Sequence, residues 1–528
     1  MRILLLLPLL LSRLFVSPVS AHDEGSEEFP CDEGPFGVPG LQLPASQIGQ
    51  WSAVTSWPER ATHTTLLHTG KVLWWRGSSA NGVQATTYVW DPIQGTLDTY
   101  LTAEDNIFCA GLGALADGRA ISLGGTVGPS NAAGLPDTNL FDPSSESWAM
   151  GDESTYGRWY PTLTTLADGR VLATSGRIQK SPVIIATIPE IYDPELDLWT
   201  ELPSASLNLS LYPPMYLLPN GLVLNPATSG TTRTLDVSTQ SWQFVATSNF
   251  ANSQGSSAMY RPGQVMKLGG GSIGTAFAEL IDMTQATPSW RVVDAMEFPR
   301  RRPDLVILPD GSLLAIGGSI EGQSSPECAM HAAEVWDPGT ELWTTWASMA
   351  RPRIYHSTAL LLPDGRLLVA GGENSHVSGG ERNYEIFSPP YLFQGGRPQI
   401  QAAPAEILYG QRFSVATALT ASIQSVALMR PSSVTHNLDQ SQRYLPLTFT
   451  SNASALQIDA PADGNLAPPG YYMLFLVDGN GVPSEAHFLR LGVDVEPVPL
   501  LGAGASTFLV SLLGAIGGGY LVARGRRQ

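Results

Sequence analysis

The sequence is short of cysteine, of charge and above all of basic residues. Its 528 residues include three cysteines, 14% charged side chains, and 29 Lys and Arg against 47 Asp and Glu, a formal net charge of −18. Three cysteines exclude a disulfide-built scaffold and a cysteine-rich zinc protein. The acidic balance argues against a nucleic-acid partner, which needs a basic surface. No Cys-X-X-Cys or His-Glu-X-X-His pattern offers a zinc site.

Long hydrophobic runs stand at the two ends of the chain. Residues 1–21 combine Arg2, a leucine-rich stretch and a small-residue site, which is typical of a secretory signal peptide cut after Ala21. The alternative, an N-terminal membrane anchor, ranks lower because the apolar stretch is short for a bilayer. We therefore predict export to an extracellular or periplasmic compartment, with an N-terminal segment over residues 22–49.

The C-terminal run, residues 500–523, has no charge and is long enough to cross a bilayer as a helix. The arginines of the tail, residues 524–528, predict that this end stays in the cytoplasm. Six glycines weaken the helix, so a sorting signal removed by proteolysis is the alternative to a transmembrane tether. In the oxidising compartment that export implies, Cys31 and Cys328 can pair.

One unit repeats seven times through the middle of the chain. It reads as an apolar run, an Asp-Gly turn, a second apolar run, a Gly-Gly pair, a variable loop, an aromatic-Asp-Pro segment and a tryptophan. Clear copies are TLTTLADGRVLATSG…IYDPELDLW and DLVILPDGSLLAIGG…VWDPGTELW. Five of the closing tryptophans lie 43 to 53 residues apart, and they are Trp148, Trp199, Trp242, Trp290 and Trp343.

These repeats predict an all-β chain. Short apolar runs broken by Asp-Gly or Asn-Gly are hairpins, and four such strands per unit at this period predict a β-propeller. The Gly-Gly pairs resemble Kelch repeats, so we predict a seven-bladed Kelch-type β-propeller over residues 50–393. The pattern then changes, and alternating strands over residues 394–493 predict an immunoglobulin-like β-sandwich packed on the propeller. We expect a monomer.

One equivalent residue of every repeat falls at the same end of the predicted channel. It stands eight positions before the Asp of the Asp-Gly turn, or its equivalent, and we expect it on the innermost strand of its blade. Around the ring these residues are Ala61, Cys109, Tyr160, Tyr212, Gln254, Arg302 and His356. This register brings Cys109 beside Tyr160, with His356 on the same rim. Tyrosinate and imidazole ligands suit Cu(II) or Fe better than Mg or Ca.

Side-chain alternation along the strands makes two further predictions. Tyr355 should point away from the ring unless its strand bulges, and Trp159 should face the other side of its strand. Arg302, Gln254 and Tyr212 share the rim, so they are candidate pocket residues for a polar substrate, with channel filling as the equal alternative.

Five segments together resemble the copper radical oxidases, the galactose oxidase and glyoxal oxidase group. They are NIFCAGLGALADGR, RWYPTLTTLADGR, RIYHSTALLLPDGR, SSVTHNLDQSQR and PPGYYMLFLVDGNGVPS. The resemblance covers residues 50–493, and it implies one copper ion and a thioether between Cys109 and the ring of Tyr160. Tyr160 would be a copper ligand and the radical site, Tyr355 the axial ligand, and His356 and His436 the imidazole ligands. The register supports Cys109, Tyr160 and His356 independently, whereas Tyr355 and His436 rest on the resemblance.

This resemblance implies oxidation of a small aldehyde or a primary alcohol by O2, with release of hydrogen peroxide. The chain departs from galactose oxidase in the segment ATSGRIQKS, which has no tryptophan to stack over the thioether, and this favours the glyoxal oxidase side. The remaining histidines lack family-like flanks and are interpreted as surface or structural; they are His63, His68, His331, His376 and His487.

Two other functions stay open. A membrane-tethered Kelch propeller can be a non-catalytic module that binds protein or carbohydrate partners, in which case the Cys, Tyr and His set is coincidental. Taken singly, Cys109 would be a small buried hydrophobe and the tyrosines and histidines ordinary strand residues. A sugar hydrolase is disfavoured because the rim residues include no carboxylate pair.

Overall fold

The computed structural model describes residue 31 and residues 43–78, 84–102, 105–127, 133–228, 230–251 and 253–492. The predicted signal peptide over residues 1–21 and the C-terminal segments 500–523 and 524–528 lie outside these ranges. Within them, no helix has both the length and the apolar character needed to cross a membrane. One short α-helix, Ala45–Ile48, precedes the first strand.

Seven sheets follow one another along the described part of the propeller. Each of the first six takes four strands from one stretch of the chain, and blade 3 has a hairpin inserted between its second and third strands. Blade 1 contains His63–Leu66, Val72–Ser78, Ala85–Trp90 and Leu97–Leu101. Blade 2 contains Gly111–Ala114, Ala120–Leu123, Thr138–Asp142 and Ser147–Met150. Blade 3 contains Thr162–Thr165, Val171–Thr174, Glu190–Asp193 and Leu198–Glu201, with a separate hairpin of Arg177–Gln179 and Ile184–Ile185.

Blade 4 contains Tyr216–Leu217, Val223–Asn225, Thr231–Asp236 and Ser241–Thr247. Blade 5 contains Ser256–Arg261, Gln264–Leu268, Ala278–Asp282 and Trp290–Val293. Blade 6 contains Asp304–Ile307, Leu313–Ile316, Ala332–Asp337 and Leu342–Ser348. Short 3-10 helices lie at Pro203–Ala205, Pro326–Cys328, Pro390–Phe393 and Thr420–Ser422.

Blade 7 is closed by the beginning of the chain. Its consecutive strands are Ser357–Leu361, Leu367–Gly371 and Asn383–Ser388, and its outer edge pairs with Gln50–Trp51 and Thr55–Ser56. The segment that precedes blade 1 thereby supplies the outer strands of blade 7, which ties the beginning and the end of the ring together. A disulfide between Cys31 and Cys328 ties the N-terminal segment to blade 6, as the sequence allowed.

The C-terminal unit is a sandwich of a five-stranded and a three-stranded sheet. The larger sheet contains Glu406–Leu408, Ile423–Arg430, Arg443–Leu447, Gly470–Asp478 and His487–Gly492. The smaller one contains Arg412–Ala416, Phe449–Ser451 and Ala455–Asp459. Apolar side chains such as Val415, Leu456 and Leu474 fill the core between the two sheets. The predicted fold class, a seven-bladed propeller followed by a sandwich, is confirmed, whereas the boundaries 50–393 and 394–493 stay predictions.

A finger of the sandwich, residues 433–439, enters the channel of the propeller. Its strand Ser433–Thr435 pairs with His63–Leu66, the innermost strand of blade 1, and with Leu438–Asp439. The finger also contacts the innermost strands of blades 2, 5, 6 and 7. The chain thereby carries a segment from its C-terminal domain to the axis of the ring.

Buried ion pairs hold the loops that lead into the innermost strands of blades 3, 6 and 7. The pairs are Arg158–Glu190 at 2.6 Å, Arg300–Glu334 at 2.5 Å and Arg353–Glu385 at 3.0 Å, and all six side chains are fully buried. Each guanidinium also donates to a carbonyl of the small-residue segment that ends the second strand, at Ser175, Gly317 or Gly371. The backbone that leads into blade 7 also passes close to this segment of blade 6, and this explains the Gly-Gly motif there. A Cβ on Gly317 would lie 2.4 Å from the Arg353 carbonyl oxygen.

Candidate metal centre and substrate cavity

Six of the seven ring residues share a left-handed backbone. Cys109, Tyr160, Tyr212, Gln254, Arg302 and His356 have φ between 45° and 67°. They lie in the loops one to four residues before the innermost strands, not on those strands as the register argument assumed. Non-glycine residues adopt this conformation at a cost, so its repetition around one ring indicates a constrained site.

Hydrogen bonds between neighbouring loops place Cys109 beside Tyr160. The amide of Tyr160 donates to the Cys109 carbonyl at 2.8 Å, and the amide of Tyr212 donates to the Tyr160 carbonyl at 2.9 Å. The amide of Cys109 donates to Nε2 of His63 at 3.1 Å. His63 was interpreted as surface or structural, and it is a fully buried residue next to the site.

Four oxygen and nitrogen donors converge at this end of the channel. The hydroxyl oxygens of Tyr160 and Tyr355 are 2.5 Å apart, and Nε2 of His436 lies 3.0 Å from the Tyr160 oxygen. The rings of His356 and His436 are nearly perpendicular with centroids 4.5 Å apart. Sγ of Cys109 is 3.4 Å from Nε2 of His436, and the donor atoms of Cys109, His356 and His436 lie within 4.8 Å of one another.

The hydrogen bonds of His356 leave its Nε2 as a lone-pair donor. Nδ1 lies 2.7 Å from Oε1 of Glu373, whose Oε2 binds Arg60 at 2.6 Å. A carboxylate accepts, so Nδ1 carries the ring proton and Nε2 does not. Nε2 is buried and has no hydrogen-bond partner among the described residues.

The same argument applies to His436 at the tip of the finger. Its Nδ1 lies 2.6 Å from the Thr435 hydroxyl, which itself donates to the Thr62 carbonyl at 3.0 Å. Because the Thr435 hydroxyl hydrogen points to the Thr62 carbonyl, Nδ1 of His436 must be the donor to the Thr435 oxygen. The ring proton is then on Nδ1, and the lone pair on Nε2 is directed at Tyr160. Fixing the outer nitrogen of an imidazole in this way is the usual arrangement around a metal-ligating histidine.

Burial keeps all these groups neutral in the metal-free chain. It lowers the pKa of His356 to about 4 and the pKa of His436 well below the ordinary histidine value. It raises the pKa of both phenols, Tyr160 and Tyr355, and of the Cys109 thiol. Two neutral imidazoles and two phenols that lose their protons on binding form a nitrogen and oxygen donor set that fits Cu(II).

Two predictions about side-chain direction were wrong. Tyr355 points into the ring and meets Tyr160, and Trp159 packs against Tyr160 with ring centroids 3.9 Å apart. Alternation fails here because both pairs precede their strands and His356 and Tyr160 have left-handed φ. Trp159 thus provides an aromatic cover for Tyr160, although the segment ATSGRIQKS has no tryptophan, and Arg177 from that segment lies 3.9 Å above the indole.

A cavity of about 420 Å³ opens beside these groups. Tyr160, Tyr355 and His436 line it, together with all three residues proposed for the pocket, Arg302, Gln254 and Tyr212. The Tyr212 hydroxyl donates a hydrogen bond to the Ala110 carbonyl at 2.8 Å, so it is the ring of Tyr212 that is available to a substrate in the cavity.

Sequence reasoning missed Glu373, Arg60 and Trp159. Glu373 directly follows a Gly-Gly pair, where the repeat gives no signal for a charged residue. Arg60 directly precedes the blade 1 ring position, Ala61, which carries no functional group of its own. Trp159 was assigned to the wrong face.

The chain is similar to known oxidases in sequence and in fold. Residues 272–391 match the profile of the family described as glyoxal oxidase N-terminus, and residues 397–491 match the galactose oxidase-like early set domain. An aldehyde oxidase GLOX from Vitis pseudoreticulata is 31% identical over 389 residues, which cover 63% of this chain and 72% of that protein. A galactose oxidase from Gibberella zeae is 28% identical over 507 residues, which cover 86% of this chain and 72% of that protein.

Among solved structures, a fungal alcohol oxidase in complex with copper superposes with a TM-score of 0.76 at 24% identity. The match covers 84% of this chain and all of that one, and it shows the shared fold. The chain therefore belongs to the copper radical oxidase family, the group of galactose oxidase and glyoxal oxidase, and is a copper-dependent oxidase by class.

Proposed function

We propose that this oxidase converts small, glyoxal-like aldehydes, or primary alcohols, with O2 and releases hydrogen peroxide. The observation that carries the proposal is the convergence of Tyr160, Tyr355 and His436 on the wall of one cavity, with His356 and Cys109 directly behind them. The reaction balances: a primary alcohol and O2 give an aldehyde and H2O2, and a hydrated aldehyde and O2 give a carboxylic acid and H2O2.

Tyr160, Tyr355, His356 and His436 would hold the copper ion. When bound, copper supplies a Lewis acid centre and accepts one electron, so a second one-electron acceptor is needed for a two-electron oxidation. Tyr160 would be that acceptor as a tyrosyl radical. The proposed cross-link to Cys109 would replace an S–H and a ring C–H bond by a C–S bond, with O2 accepting the two electrons and two protons, and its sulfur would delocalise the unpaired electron. The Tyr160 amide donates to the Cys109 carbonyl at 2.8 Å, and the Cys109 sulfur and the Tyr160 oxygen lie 3.4 and 3.0 Å from the same His436 nitrogen, which supports this role.

Tyr355 is the proposed general base for the substrate hydroxyl. It lines the cavity, and its oxygen is within hydrogen-bond distance of Tyr160. Burial raises the pKa of Tyr355, but the guanidinium of Arg302, 4.2 Å from the ring centroid, opposes that shift and favours the phenolate. A base of this kind can take the hydroxyl proton while Tyr160 takes the hydrogen from carbon.

A substrate panel scored by peroxide release tests the proposal. The full exported chain, loaded with Cu(II), should produce peroxide from methylglyoxal or glyoxal and less from galactose. The glyoxal oxidase match over residues 272–391 and the aldehyde oxidase relative favour this order. If no aldehyde and no primary alcohol yields peroxide, the binding-module alternative gains and the oxidase proposal falls.

Copper binding should release protons from the two phenols. Their raised pKa values mean that the metal-free site holds both protons at neutral pH, so copper must displace them and its affinity must rise with pH. Anaerobic addition of Cu(II) in a pH-stat should release about two protons per site at pH 7. Tyr355→Phe should release about one, and release of none by the unaltered protein would contradict the proposed ligand set.

Glu373 should set copper affinity without touching the metal. Glu373→Gln weakens the acceptor for Nδ1 of His356 and the contact with Arg60, so the copper dissociation constant should rise roughly 10- to 100-fold. Competition with a chelator measures this. Glu381→Gln is the matched control, because the Glu381 carboxylate binds Asn374 and Asn383 and no histidine. An equal loss in both variants would show a general effect on blade 7.

We propose further that the chain is exported by the signal peptide, residues 1–21, and tethered to the membrane by residues 500–523. The sequence supports both, through the leucine-rich run and through the uncharged run followed by arginines. N-terminal sequencing should find a chain that begins after Ala21. The chain should stay in the membrane fraction after carbonate washing, and a soluble product that ends before residue 500 would favour proteolytic sorting.

A further inference from the structure

The substrate cavity is positively charged in a strongly acidic protein. Its walls include Arg177 and Arg302, and none of the described residues that line it is Asp or Glu, although the chain carries a formal net charge of −18. We propose that Arg302, supported by Arg177, binds a carboxylate, so that the preferred substrate is an aldehyde with a carboxylate next to the reacting carbon. This inference rests on the proposed oxidase function and names the substrate class for the same site.

Arg302 is held in place but is not neutralised. Its Nε donates to Oε1 of Gln254 at 2.6 Å, and its guanidinium lies 4.2 Å from the centroid of the Tyr355 ring. The residue is 8% exposed, and Nη1 has no hydrogen-bond partner among the described residues. A guanidinium that lies over an aromatic ring and has an unpaired amino group can donate two parallel hydrogen bonds to a planar carboxylate.

Arg302 differs from the other deeply buried arginines in having a donor without an acceptor. Three of those arginines meet a fully buried glutamate, and two donate to backbone carbonyls; they are Arg158, Arg300 and Arg353, and Arg430 and Arg443. Within the described part of the chain Arg302 has no ion-pair partner, and its Nη1 has no acceptor. A buried donor left without an acceptor is unfavourable, and a ligand in the cavity can supply one.

Arg177 adds to the positive potential of the same wall. Its guanidinium lies over the indole of Trp159, which in turn packs against Tyr160. Arg302 thus lies directly over the Tyr355 phenol, and Arg177 lies over Trp159, which separates it from the Tyr160 phenol. Since Arg302 lies on Tyr355, an anion bound there must be attached within a few bonds of the atom that reacts.

The reaction on such a substrate is balanced by O2 alone. Glyoxylate, the smallest aldehyde of this class, reacts as its hydrate: one C–H bond and one O–H bond break, and the aldehyde carbon becomes a second carboxyl group. The two electrons and two protons pass to O2 and leave as H2O2.

Paired kinetics test the proposal on the copper-loaded full chain. Glyoxylate should be oxidised with a higher kcat/KM than methylglyoxal, which replaces the carboxylate with a neutral acetyl group. In Arg302→Met the ratio of the two kcat/KM values should fall roughly 10- to 100-fold, through KM for glyoxylate. Arg302→Lys keeps the positive charge but cannot form two parallel hydrogen bonds, so in this variant the ratio should fall less.

Arg301→Met is the matched control, because it removes the same charge from the next residue. Nη1 of Arg301 donates to the Ser272 carbonyl, and Arg301 does not line the cavity. The ratio should be unchanged in this variant. An unchanged ratio in Arg302→Met, or an equal fall in Arg301→Met, would overturn the proposal.

Binding to the copper-free chain separates this proposal from the oxidase function. Oxamate, an unreactive planar carboxylate, should quench or shift the tryptophan fluorescence of the unaltered chain and should not do so in Arg302→Met. Absence of binding, or equal binding by both, overturns the carboxylate site. If oxamate binds as expected but neither aldehyde yields peroxide from the copper-loaded chain, the oxidase proposal is the one that fails.

Discussion

Loss of either member of the Cys109–Tyr160 pair should abolish oxidation. In Cys109→Ser and in Tyr160→Phe we expect the peroxide-forming rate to fall roughly a thousandfold or more. Tyr160→Phe removes the second one-electron acceptor, and Cys109→Ser removes the sulfur that stabilises the radical on it. Residues that act as one unit are not additive, so the double variant should be no worse than either single one. Peroxide release from methylglyoxal by copper-loaded protein measures the effect.

Intact mass gives an independent readout of the same pair. After aerobic treatment with Cu(II), the unaltered chain should become lighter by two hydrogen atoms, and both variants should keep their full mass. Tyr192→Phe is the control, since this buried tyrosine of blade 3 binds Asp197 and does not line the cavity. Its mass loss and activity should match those of the unaltered chain. A mass loss in Cys109→Ser would show that another bond forms.

Removal of one partner of a buried ion pair should destabilise the propeller strongly. In Arg300→Met the Glu334 carboxylate stays fully buried without its cation, and the Gly317 and Ala332 carbonyls lose their donor. We expect the free energy of unfolding to fall by about 3–5 kcal/mol. The midpoints of denaturant and thermal unfolding measure this.

The pair Arg291–Glu341 is a matched control on the surface. It has the same residue types and two hydrogen bonds, at 2.7 and 2.8 Å, but the side chains are 56% and 41% exposed. Arg291→Met should cost about 1 kcal/mol or less, because water screens the charges. Equal losses in the two variants would show that burial does not govern the strength of these pairs.

The fold was predictable from the sequence because the same pattern of strands and turns recurs in every repeat. An Asp-Gly turn, or its equivalent, stands at a fixed distance from each ring residue, so a single alignment of repeats placed Cys109, Tyr160 and His356 at one end of the channel. The structure brings these residues together there, in loops that share one backbone conformation.

Side-chain directions were not predictable from the same alignment. Alternation applies within a strand, but Trp159 and Tyr355 precede their strands, where left-handed residues turn the chain. No short-range pattern in the sequence shows these φ values. Two aromatic residues were therefore assigned to the wrong face.

The local sequence also contained no signal for the positions of His436 and Glu373 at the site. Nothing in the local sequence of residues 433–439 says that a finger of the sandwich pairs with blade 1, so His436 came from the family resemblance alone. Glu373 acts through His356 at a distance of 17 residues in the chain. Contacts of this kind depend on how whole units pack.

The finger at residues 433–439 and the edge strands at residues 50–56 mean that the site can be completed only after the C-terminal domain has been synthesised. The ring cannot close until blade 7 has been made, and His436, one of the proposed copper ligands, reaches the axis only when the sandwich has folded over the ring. A chain that ends before residue 433 would thus lack this imidazole however well its blades have formed. On the proposed function, such a chain should produce no peroxide.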